Sequence, residues 1–167
     1  MNIKIVTLIA ALMPCVAFAG VLDTAEPRRY QIENDGGGSV EEFEEALSYM
    51  SKEKMKVSIG GMCASACTLA LSTRYDLDVC IKEDVIIGVH KPYASTQYGT
   101  VVRTIPFIVG AEKIWKETFF NNYPTWLQTA ILARGEVPSV MQGDPPHKLM
   151  RFVYDDLKPF MKGCTDD

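Results

Sequence analysis

Ser65 lies in the run Gly60-Gly61-Met62-Cys63-Ala64-Ser65-Ala66-Cys67-Thr68, with the apolar Val57 and Ile59 before it and Leu69, Ala70 and Leu71 after it. A strand-like segment followed by a helix-like one sets this serine on a sharp turn, where its hydroxyl projects. The same place is a helix N-terminus, whose free N–H groups stabilise an oxyanion. Further along, His90 ends a second apolar run in Val89-His90-Lys91-Pro92. Upstream, Asn34-Asp35-Gly36-Gly37-Gly38-Ser39-Val40 is a glycine turn that opens a helix. A serine nucleophile, a histidine base and backbone donors are the parts of acyl transfer, so the set suggests a serine hydrolase.

Each residue also has a plainer reading. Ser65 alone is a good helix N-cap. His90 alone is a hydrogen-bonded core histidine, and Gly37 and Gly38 alone make a tight turn. Taken together, Ser65 is expected to attack, His90 to carry the proton, and the N–H groups of Gly37 or Gly38 and of Ala66 to hold the oxyanion. The other histidine, His147, follows Pro145-Pro146 and reads as a surface-loop residue. Arg74 and Arg103 are candidate partners for a substrate carboxylate, with solvated surface the default reading.

The elements that must position these residues follow from periodicity. Residues 29–33 alternate as a strand, and Val40, Phe43, Ala46, Leu47 and Met50 recur at helical spacing with glutamates in the first turns. Residues 55–59 read as a strand, 65–73 as a helix, and 78–82 and 85–90 as short strands. Residues 93–104 read as a loop. Pro106 starts a helix to about Asn121, and Trp126 to Arg134 is another, stopped by Gly135. Residues 137–146 look irregular and 147–161 helical in part. Strands alternating with helices indicate an α/β domain. Trp115, Phe119, Phe120, Trp126 and Leu127 share helical spacing and form either core or an oligomer surface.

The first nineteen residues read as a secretory signal peptide: basic Lys4, apolar Ile5 to Met13, and Ala17-Phe18-Ala19 before Gly20. Residues 20–167 are then one periplasmic or secreted domain. Pro14 beside Cys15 argues against a lipoprotein. The chain has 17 basic and 21 acidic side chains and no basic stripe, which speaks against a nucleic-acid partner. Beyond Cys15 stand Cys63, Cys67, Cys80 and Cys164, an even set that implies disulfides in an exported protein, with three pairings open. The spacing of Cys63 and Cys67 lacks the close second pair a zinc site needs, so no metal and no cofactor is expected.

The order of these motifs resembles the ClpP/crotonase superfamily, in particular ClpP-type serine peptidases. The resemblance rests on the glycine turn 34–40, the nucleophile turn 62–68 and the segment from Asp78 through His90-Lys91-Pro92. It implies a repeated strand-strand-helix core with a C-terminal helical arm, and a homo-oligomer built through that arm. It implies a peptide or acyl substrate for Ser65 and His90, and an aspartate after the long helices as third member, for which Asp144 stands at about the right distance. Asn121 or Asn122 could orient the histidine instead. Gly36 replaces the family's proline, the family's first strand-helix units are missing or replaced, and an exported enzyme would have no ATPase partner. Two other classes compete: an inactive binding or assembly module of the same fold, and an acyl-CoA enzyme, which the compartment disfavours.

Overall fold

Ser39 caps the first helix, α1 (Val40–Lys52). Its Oγ accepts from the Glu42 N–H at 3.3 Å, and Glu41 and Glu42 lie at the positive end of the helix dipole. Leu47 and Met50 are the buried residues of this helix, as the spacing predicts. The computed structural model describes residues 28–96, 100–102 and 104–165. The expected signal peptide and Arg103 lie outside the described residues.

α1 connects two parallel strands, β1 (Arg29–Asp35) and β2 (Lys56–Ala64). The other edge of β2 is shared. Lys56 to Ile59 pair with β3 (Asp78–Ile81), and Met62 to Ala64 pair with β4 (Ile86–Val89), both in parallel. β5 (Met150–Val153) adds antiparallel to β4, so the five-stranded sheet is mixed. The change of neighbour falls at Gly60-Gly61. Gly61 has φ +55°, and a Cβ there would sit 2.5 Å from Asn34 Oδ1. That same Asn34 oxygen accepts the Met62 N–H at 3.2 Å. The register between β1 and β2 slips at this point, which bends the end of β2 toward β4.

The strand expected at 55–59 therefore runs on to Ala64, and the expected helix 65–73 is a 3-10 helix, Ser65–Leu71. The next helix is α2 (Ile105–Ile114), with Pro106 in its first turn, and it continues through a π turn to Phe119 and a 3-10 turn to Asn122. α3 (Thr125–Arg134) follows. Trp115, Phe119 and Leu127 are core; Phe120 and Trp126 pack partly buried against it. Residues 150–153 correct the helical expectation for 147–161. Met150 and Phe152 are buried while Arg151 and Val153 are exposed, a strand alternation, and only α4 (Tyr154–Leu157) is helical there. The fold is thus mixed α/β.

All four described cysteines are paired, Cys63 with Cys67 and Cys80 with Cys164. The second bond fastens the C-terminal tail along β3, where Cys164 N–H donates to Ile81 C=O at 2.9 Å and Ile81 N–H to Lys162 C=O at 3.0 Å. No described helix is long and apolar enough to cross a membrane.

Candidate active site

Ser65 stands where β2 ends and the 3-10 helix begins. Ala64 is extended, but Ser65 has φ +55°, the left-handed region that L side chains avoid at a cost of about 1–2 kcal/mol. Three contacts hold this conformation. The Cys63–Cys67 disulfide closes across it, with both cysteines fully buried. Thr68 Oγ1 donates to the Ser65 carbonyl at 2.5 Å. Gly37, at φ +84°, presses on the turn from the other side: a Cβ there would meet the Ala64 carbonyl oxygen and Ser65 Cβ at 2.6 Å and the Ala66 nitrogen at 2.8 Å. Only glycine fits that approach.

The Thr68 hydroxyl has one proton, and the Ser65 carbonyl takes it. The 2.6 Å contact between Thr68 Oγ1 and the Tyr123 hydroxyl is therefore donated by Tyr123. Burial pushes the Tyr123 phenol well above its ordinary value, with the Thr68 bond opposing the shift, so it stays protonated as that donor requires. A buried relay thus runs from Tyr123, just before α3, to the backbone of Ser65.

The glycine turn divides its labour. Gly37 N–H donates to Asp35 Oδ1 at 2.8 Å, so it is committed and its contribution is the missing side chain. The N–H groups of Gly38 and Ala66 donate to no described residue. Of the expected oxyanion donors, these two remain.

His90 follows β4 and shares a pocket of about 750 Å³ with Ser65 and the glycine turn. Its Nδ1 lies 2.8 Å from the Lys91 carbonyl. A carbonyl only accepts, so Nδ1 carries the proton and Nε2 of the neutral ring has a free lone pair. Burial holds the imidazole below its ordinary value, partly offset by the Lys91 carbonyl. The carbonyl is itself on a fixed residue: Lys91 N–H donates to Pro138 C=O at 2.9 Å and its Nζ pairs with Glu112 at 2.7 Å.

The described contacts of Asp144 do not include His90. Its Oδ2 accepts the Ser139 N–H at 2.9 Å and its Oδ1 pairs with Lys148 at 2.7 Å. Those contacts, Lys148 first, hold its carboxyl below the usual range. Asp144 pins the loop from Ser139 to Lys148, and the Lys91 carbonyl occupies the position on His90 Nδ1 where a third member would act. Asn122 is a helix-end cap, donating to Glu117 C=O at 2.6 Å. Arg74 pairs with Glu44 at 2.6 Å and is not among the pocket residues.

Sequence reasoning missed one strand of the site. The pinned loop and β5 bring His147, Leu149 and Arg151 to the pocket. The period-two alternation of Met150 to Val153 is the only local signal for that strand, and it is four residues long. Among the described residues, no group of three or more His, Cys, Asp or Glu side chains is placed to hold a metal ion. The sequence matches no protein-family model, and no curated protein matches it.

Proposed function

We propose that the protein is an exported, ATP-independent serine peptidase or related acyl hydrolase of ClpP/crotonase-like fold. One observation carries the reading: Ser65 is held at φ +55° on a strand-to-helix turn, beside a pocket it shares with His90. Strained backbone at an exposed nucleophile is a feature of such elbows, where neighbours must over-determine it. The two disulfides support an oxidising compartment.

In this mechanism Ser65 Oγ attacks the acyl carbonyl. His90 Nε2 takes the serine proton and returns it to the leaving group. The Gly38 and Ala66 N–H groups receive the oxyanion, each such donor being worth about 3 kcal/mol. The Lys91 carbonyl fixes the His90 tautomer but carries no full charge, so it stabilises the imidazolium less than a carboxylate would. Asp144 stays with the loop.

A second reading has its own support. Ile105, Phe107 and Val109 of α2 are exposed. That is an unusual apolar display, and it favours an assembly module whose arm packs on other subunits. Reaction with a fluorophosphonate separates the two: labelling lost in Ser65→Ala supports chemistry, and folded protein that never labels supports the module.

A further inference from the structure

Across the sheet, Ala64 of β2 pairs with Gly88 of β4, and Gly88 pairs with Arg151 of β5. Residues directly opposite share a face, so Arg151 stands on the side of the sheet shown by the Ala64 Cβ. Two strand spacings, roughly 10 Å, separate it from the residue before Ser65. Gly88 keeps the space between them low. A Cβ at Gly88 would meet Leu149 Cδ1 at 2.8 Å and Ala64 Cβ at 3.0 Å, so the Leu149 side chain lies over the glycine as an apolar floor.

The lining of this pocket runs against the composition of the chain. The protein has 21 acidic side chains, yet no described aspartate or glutamate lines the pocket, whose basic residues are Arg151, His90 and His147. Arg151 is exposed and forms an ion pair with no described carboxylate, whereas Arg134, whose guanidinium reaches the Arg151 carbonyl, is taken by Asp156 at 2.7 Å. An uncommitted guanidinium at one end of a pocket presents a fork of donors that matches a carboxylate.

We infer that Arg151 is a specificity residue that binds a substrate carboxylate a few residues from the bond Ser65 attacks. An extended chain advances about 3.3 Å per residue, so the roughly 10 Å between the two backbones is the length of about three residues. The source of the carboxylate is a peptide C-terminus or an acidic side chain. The inference rests on the proposed hydrolase for the place of the scissile bond, but carboxylate binding itself needs no turnover.

The test therefore uses two preparations. Folded Ser65→Ala protein is titrated calorimetrically with N-acetyl-Ala-Ala-Ala and its C-terminal amide, and with N-acetyl-Ala-Glu-Ala-amide and its Gln counterpart. The same peptides compete with fluorophosphonate labelling of the unmodified protein. In at least one pair the carboxylate member binds on the order of tenfold more tightly, the scale of one exposed charge-assisted contact. The pair that shows the preference identifies the source. The preference shrinks as salt is raised, vanishes in Arg151→Gln and partly returns in Arg151→Lys. Equal affinity within both pairs overturns the inference, as does a preference unchanged in Arg151→Gln. Carboxylate preference without any labelling of Ser65 would overturn the hydrolase and leave the subsite standing.

Discussion

The relay from Tyr123 through Thr68 to the Ser65 carbonyl predicts an order of effects that a simple count of contacts would not. Tyr123→Phe removes one buried donor and leaves Thr68 still donating to Ser65, so it costs about 1 kcal/mol, the net value of an ordinary hydrogen bond. Thr68→Val keeps the shape but does two things. It releases the Ser65 carbonyl, and it strands the hydroxyl of Tyr123, a residue only 2% exposed, without its partner. That change costs about 2–3 kcal/mol. In the double variant no hydroxyl is stranded, so the combined loss falls about 1 kcal/mol short of the sum. Urea denaturation followed by circular dichroism reads these differences; on heating, each kcal/mol is roughly 3–4 °C at this size. Fluorophosphonate labelling should slow more in Thr68→Val than in Tyr123→Phe, because only the former lets the strained turn relax. Equal stability of Thr68→Val and wild type would refute the relay, and so would strict additivity.

Acidity, the glycine turn and Asp144 supply three further expectations. The His90 pKa is depressed by burial, so its contribution to stability is complete above its unfolded value of about 6.5 and is lost as pH falls through the lower folded value. Activity should accordingly rise with pH to a midpoint below 6.5, and a midpoint above it would contradict a half-buried base without a carboxylate partner. Gly37→Ala puts a methyl 2.6 Å from Ser65 Cβ at φ +84°, and should cost at least 2 kcal/mol by thermal melt and abolish labelling. Asp144→Asn should leave the labelling pH profile in place while loosening the loop to proteolysis; loss of labelling in folded Asp144→Asn protein would restore it to the triad.

Much of the framework around these residues was legible because its signals are local. Glycines at 36–38 mark a turn that opens a helix, and the apolar Val57 and Ile59 before Ser65, with Leu69 to Leu71 after it, mark a strand-to-helix turn. The positions of β1, α1, β3 and β4 follow from the same short-range patterns. What escaped depends on partners distant in sequence. The extension of β2 to Ala64 needs the Asn34 side chain to satisfy the Met62 N–H across a bulge, which no window around residue 62 contains. β5 becomes a strand because β4 offers an edge. Its four residues carry too short an alternation to override the helical look of 147–161. Asp144 has a sequence distance suited to a triad, but its geometry is set by Ser139 and Lys148, both within a few residues. The partner that does meet His90 is a backbone carbonyl, which leaves no mark in a sequence. His147 comes into the pocket because that same loop is folded back, although Pro145-Pro146 alone says only that the chain turns.

The proposed hydrolase requires that Ser65 be a nucleophile activated by His90. Intact-mass and peptide mass spectrometry after fluorophosphonate treatment at neutral pH measures this directly. The expected result is a single adduct on the peptide containing Ser65, absent in Ser65→Ala, at least a hundredfold slower in His90→Gln by the scale of general-base catalysis, and unaffected by His147→Gln. No adduct on folded protein, or labelling that survives His90→Gln unchanged, would contradict it.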